Sequence, residues 1–136
     1  MRYFLFVSVV LFFSACILSE AMGQKNTYKA TVDSDGIQKV EVTAGEYFFN
    51  PDRIIVKVNV PVEISIRKEP GIVPHHFVLK ATEAGMDILE SLSSDPKTIR
   101  FTPTRAGEYQ FYCDKKLIFS RSHREKGMEG TLEVTE

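Results

Sequence analysis

Ile54-Ile55-Val56-Lys57-Val58-Asn59-Val60-Pro61-Val62-Glu63-Ile64-Ser65-Ile66 contains two β-branched runs divided by a short break that ends in proline. In the second run Val62, Ile64 and Ile66 alternate with Glu63 and Ser65, the period of a half-buried strand. The first run, 54–58, is apolar at all but Lys57, and Asn59-Val60-Pro61 is turn punctuation. These are the clearest strands of the chain, and the flanking sequence extends the same pattern.

Towards the N-terminus, Asn26–Asp33 and Ile37–Thr43 are short β-branched stretches split by the turn Ser34-Asp35-Gly36. Towards the C-terminus, Val73–Lys80 predicts a strand entered through Glu69-Pro70-Gly71. Lys97–Thr102, Glu108–Cys113 and Gly130–Thr135 follow as further strands, with Asp95-Pro96-Lys97, Thr102-Pro103 and Arg105-Ala106-Gly107 as turns. Thr82–Ser94 is expected to be the one helical or loop excursion. Short strands with Gly and Pro turns about every 8–12 residues predict an all-β sandwich or barrel. Lipocalin-like barrels and immunoglobulin-like sandwiches share that signature.

The chain has 136 residues, and its first two dozen are not expected to belong to the fold. Met1-Arg2 is followed by the apolar run Tyr3–Leu18 and then by Ala21 and Gly23, the order of an export signal cleaved before Gln24. The run is shorter than the roughly 20 residues of a membrane span. An uncleaved anchor, or lipidation at Cys16 in Phe13-Ser14-Ala15-Cys16, are the alternatives, and all three place the domain outside the cytoplasm. The expected organisation is a signal over 1–23 and one domain over 24–136, periplasmic or secreted. Membrane association follows only if the signal is uncleaved or lipidated. A formal net charge of −1 argues against a nucleic-acid binder.

Only two cysteines are present, Cys16 and Cys113, so the domain after cleavage owns a single thiol and no internal disulfide. An odd cysteine in an exported protein calls for intermolecular pairing, a reactive thiol or a metal. The chain has three histidines, His75, His76 and His123, and Met128 lies close after the last. A thiolate, two imidazoles and a weak thioether form the ligand set of a mononuclear copper electron-transfer site. Soft sulfur favours Cu(I), whereas imidazole suits both oxidation states. Each residue also has a bland reading: Cys113 as a buried thiol, His123 as an exposed loop histidine, Met128 as core. Met86 is expected to be packing, and Phe48, Phe49, Tyr109, Phe111 and Tyr112 core or subsurface aromatics. No phosphate loop, Ser-His-Asp arrangement or paired carboxylates in convincing context occurs.

Gly107-Glu108-Tyr109-Gln110-Phe111-Tyr112-Cys113 resembles the strand of plastocyanins and related cupredoxins that delivers the copper cysteine. His123 followed after four residues by Met128-Glu129-Gly130-Thr131-Leu132-Glu133-Val134 resembles their His-x4-Met segment and final strand. Pro74-His75-His76-Phe77-Val78-Leu79 is similar to the strand with the first copper histidine, and 45–66 to the opening half of the sandwich. The resemblance covers nearly all of residues 37–135. It implies a Greek-key β-sandwich of cupredoxin type holding one copper ion, Cu(II)/Cu(I), through His75, Cys113, His123 and Met128. Strand alternation shows only that His75 and His76 cannot both point inward. The family match makes His75 the ligand and puts His76 where a polar residue steadies the copper loop. His76 would then hydrogen-bond the Cys113 loop or lie in solvent.

One departure from the family is large. Nine residues, Asp114–Ser122, separate Cys113 from His123, where familiar cupredoxins use only a few. Closing a longer loop costs little, but it leaves open a less strained or more tetragonal site, red or green rather than blue. Within it Leu117-Ile118-Phe119 is apolar, with Lys115, Lys116, Arg121, Arg124 and Lys126 around it. This segment either docks an acidic protein redox partner or tucks its apolar residues into the core. The resemblance also implies that the His123 imidazole edge reaches the surface as the electron exit. The functional expectation is a monomeric exported electron carrier, not an enzyme; the alternatives are a copper-delivery protein and, last, a single-copper enzyme.

Overall fold

The computed structural model describes residues 26–136. The expected signal segment, with Cys16, lies outside the described residues. Ten strands form two sheets, with two single 3₁₀ turns. In chain order the strands are β1 (Thr27–Lys29), β2 (Gln38–Gly45), β3 (Phe48–Asn50), β4 (Arg53–Lys57) and β5 (Val62–Lys68). They continue with β6 (His76–Ala81), β7 (Met86–Ser91), β8 (Lys97–Phe101), β9 (Gly107–Tyr112) and β10 (Glu129–Thr135). The larger sheet has the order β1-β4-β10-β9-β6-β7 and the smaller β3-β2-β5-β8. The expected β-sandwich is therefore present.

Each sheet turns its apolar alternation inward. In β5, Val62, Ile64 and Ile66 are buried while Glu63 and Ser65 sit nearer solvent. They meet Ile54 and Val56 of β4, Phe77 and Leu79 of β6, Phe111 of β9 and Leu132 and Val134 of β10 in one core. Phe77 stacks on Phe111 with ring centroids 5.2 Å apart, and Phe49 stands edge-on to both at 5.8 and 5.4 Å. Aromatic clusters of this kind contribute beyond their buried area. Gly130, opposite Phe111 in the β9–β10 register, is where the chain needs no side chain. A Cβ there would stand 2.3 Å from the Phe111 ring and 2.5 Å from the Asp52 carbonyl oxygen.

Two expectations change. Thr82–Ser94 is no helical excursion: after one 3₁₀ turn over Thr82–Ala84, Gly85 (φ +78°) reverses the chain into β7, antiparallel to β6. The signal was the alternation Met86 in, Asp87 out, Ile88 in, Leu89 out, too short beside Thr82-Glu83-Ala84 to dominate the reading. Met86 is core packing, as expected. Phe48 is exposed rather than core, because its ring lies across Gly45, its partner in the β2–β3 register.

Phe111→Ala should lower unfolding stability by about 3–5 kcal/mol, since it empties the centre of the aromatic cluster. Urea denaturation of the metal-free protein measures the loss.

Candidate metal centre

Strand β9 lies between β10 and β6. Cys113 immediately follows β9, His75 immediately precedes β6, and Met128 immediately precedes β10. Three neighbouring strands thus open or close at one end of the sandwich, and the sequence-distant residues meet there. The ladder continues one step past its last strand pair, where the Cys113 N–H donates to the Met128 carbonyl at 3.0 Å. Met128 N–H in turn donates to the His123 carbonyl at 3.0 Å, after Gly127 (φ +100°) has turned the chain. On the far side the His75 carbonyl accepts from Leu92 N–H at 3.0 Å.

These pins bring three donor atoms together. His75 Nδ1 and His123 Nδ1 are 3.2 Å apart, and Cys113 Sγ lies 4.0 Å from the first and 3.4 Å from the second. Donors held about 2.0–2.3 Å from one ion stand at such mutual distances. Cys113, His123 and Met128 are fully buried, and His75 is 5 % exposed. His123 Nε2 is buried with no hydrogen-bond partner, so the polar contacts of this imidazole lie at Nδ1, which meets Cys113 and His75. The donor set and its enclosure fit a thiophilic metal ion.

The other histidine takes a different part. His76 donates its backbone N–H to Cys113 Sγ at 3.3 Å, and its ring Nδ1 lies 2.7 Å from Asp114 Oδ1. It is the steadying contact to the Cys113 loop, one of the two roles open to it in the sequence. Asp114 was not anticipated, and only its place next to Cys113 could have suggested it. Tyr47 is a second unforeseen neighbour, at φ +67° in the turn between β2 and β3. Its ring stands edge-on to His123 and His75 at 5.0 and 6.5 Å, while Lys126 Nζ sits 4.2 Å above that ring. No spacing in the sequence signals this contact.

The nine-residue separation is absorbed locally. His123 N–H donates to the Lys115 carbonyl at 2.8 Å, Lys116 and Ser122 form a bridge, and Ser120 N–H returns to Leu117. The insertion is a small closed excursion whose base spans Lys115 to His123, so its length does not stretch the site. Its apolar residues do not enter the core: Ile118 is 86 % exposed and Phe119 fully so. Contrary to expectation, the His123 edge does not reach the surface; the ring is enclosed, with Tyr47 standing edge-on against it.

Electrostatics follow from this enclosure. Burial, then the His123 and Lys68 charges, push His75 down to about 4. Burial and the Lys126 and Lys115 ammonium groups lower His123. Burial raises the Cys113 thiol against the lowering effect of N–H donors from His76 and Lys115. At neutral pH both imidazoles are therefore uncharged, and the metal-free thiol keeps its proton.

A cupredoxin-like domain family matches residues 5–132. The chain belongs to that family. Among solved structures, it is similar to the metal-binding domain of the Cu(I)-exporting P-type ATPase CopA of Streptococcus pneumoniae D39, determined with Cu(I). That match has 28% identity and a TM-score of 0.62, and covers 84% of this chain and 100% of the domain. Reduced auracyanin from Roseiflexus castenholzii matches at 17% identity and TM-score 0.59, over 79% of this cupredoxin and 99% of that protein. Auracyanin A of Chloroflexus aurantiacus, a blue copper protein, matches at 17% identity and TM-score 0.56, over 74% and 100% of the two chains. These two likenesses show the fold. No curated protein matches the chain by sequence.

The depressed imidazoles make a testable claim about acid stability. An unfolded His titrates near 6.5 and His75 near 4, so between those values the unfolded chain binds the extra proton. Stability should therefore fall on acidification from about pH 6.5 and level off below about pH 4, losing about 1–2 kcal/mol by pH 5 through His75. Urea midpoints of the metal-free protein at pH 7 and 5 measure this, and His75→Gln should flatten the dependence.

Proposed function

We propose that this cupredoxin is exported and holds one copper ion through His75, Cys113 and His123, with Met128 as the weak fourth ligand, to pass single electrons between protein partners. The observation that carries the reading is the meeting of one sulfur and two imidazole nitrogens within 3.2–4.0 Å in a buried pocket. Copper bound there would supply a one-electron Cu(II)/Cu(I) couple suited to these donors. The chain's part is to keep both ligand types in one fixed arrangement, so that little moves when the charge changes. The backbone pins on Cys113, His123 and Met128, and the His76 contacts to Cys113 and Asp114, supply that rigidity. Enclosure keeps water from the ion.

The partner would dock on the exposed excursion after Cys113. Leu117, Ile118 and Phe119 are solvent-facing, and Lys115, Lys116 and Arg121 flank them in the sequence. An apolar tip flanked by cations suits brief encounter with an acidic protein. The hydrogen bond from His123 N–H to the Lys115 carbonyl joins this element to the ligand. Export rests on Met1-Arg2, the apolar segment 3–18 and the small residues Ala21 and Gly23 before Gln24.

A delivery role is the second reading, favoured by the likeness to the Cu(I)-bound domain of an exporting ATPase. Tight Cu(I) binding without a stable Cu(II) form would decide for delivery. An intense thiolate-to-Cu(II) absorption with reversible reduction would decide for the carrier.

With Cu(II) added to the purified protein, that absorption should appear and about one proton, from the Cys113 thiol, should be released at pH 7. Cys113→Ser should abolish both, as read by visible absorption, electron paramagnetic resonance and calorimetry in two buffers. Lys115→Glu with Lys116→Glu should slow electron transfer to an acidic partner about tenfold at low salt, the rates converging at high salt. Equal rates at low salt would remove the docking assignment.

A further inference from the structure

We infer that copper enters and leaves the site through a pocket beside His75 that Glu46 and Glu69 line. The inference rests on the copper reading above. Of the four candidate ligands, Cys113, His123 and Met128 are sealed from solvent, whereas His75 retains a small exposed edge. That residue lines a pocket of about 130 Å³ between the β2–β3 turn and the loop leading from β5 to β6. The pocket gives an ion a route to one donor without opening the sandwich.

The charges around the pocket favour a cation. Glu46 and Glu69 line it, both are solvent-exposed, and neither is in an ion pair among the described residues. Lys68, whose ammonium group donates to the Gly71 carbonyl, keeps its charge and opposes them, which leaves the lining with one negative charge in excess. The segment 114–129 around His123 carries Lys115, Lys116, Arg121, Arg124 and Lys126 against Asp114, Glu125 and Glu129, an excess of the opposite sign. A hydrated cation is repelled from that segment and drawn to the pocket. Carboxylate oxygens hold Cu(II) weakly with its water, and imidazole nitrogen binds it better. Passage from Glu46 and Glu69 to His75 exchanges weak oxygen donors for nitrogen, and Cys113 and His123 complete the capture.

The test follows the thiolate-to-Cu(II) absorption after mixing metal-free protein with aqueous Cu(II) in a stopped-flow instrument. Glu46→Gln with Glu69→Gln should load about fivefold more slowly at low ionic strength, the gap closing with added salt, and reach the unsubstituted final spectrum. Val73→Phe, which narrows the same pocket, should slow both loading and removal by a chelator. Glu83→Gln, in the turn at the opposite end of β6, should change neither. Full absorption reached at the unsubstituted rate in both pocket variants would overturn the entry route and leave the copper site standing. Absence of the absorption from the unsubstituted protein would overturn the copper reading, and this route with it.

Discussion

The site exists because β9 is hydrogen-bonded between β6 and β10 in a fixed register. Tyr112 pairs with Glu129 on one side and with Val78 on the other. Those pairings decide where Cys113 emerges relative to His75 and Met128. A one-residue slip would turn Phe111 out of the core and Tyr112 into it. The stacked pair Phe77 and Phe111 makes that slip costly, so the core and the site are held by the same contacts. Packing energy spent in the interior thereby fixes donor positions at the rim.

Enclosure has a second consequence for the donors. Burial disfavours the imidazolium form of His75 and His123 and the thiolate form of Cys113. The metal-free pocket is thus electrically neutral, which lets it stay closed and packed without an ion. His75 Nδ1 and His123 Nδ1 then stand 3.2 Å apart, where one ring's N–H can donate to the other while no ion is bound. Tyr47 and Lys126 close the site on the His123 side, while the residues around His75 leave it a narrow contact with solvent.

Much of the fold could be read directly because strand alternation is a local signal. Val62-Glu63-Ile64-Ser65-Ile66 carries its burial pattern in its own sequence, and so does the β9 stretch that ends at Cys113. β7 was missed because Met86-Asp87-Ile88-Leu89 is only a short alternation after a helix-compatible triplet. The gathering of His75, Cys113, His123 and Met128 at one end followed from resemblance to a family, since no local pattern states which strands are neighbours. Tyr47 and Asp114 escaped altogether. One reaches the histidines through an unusual backbone angle, the other through a hydrogen bond across strands, and neither leaves a periodic trace. The enclosure of His123 also ran against the family expectation, because it depends on a side chain from the far turn.

The excursion after Cys113 closes on itself before it reaches His123. Its neck is a backbone hydrogen bond from residue 123 to residue 115, and its tip makes no part of the core. Mechanically it is a tethered appendage rather than a strut. Residues at its tip can be exchanged, lengthened or trimmed without transmitting strain to the donors. Docking at the tip, as proposed above, would in that sense be insulated from the chemistry of the donors, with the Lys115 carbonyl as the joint between them.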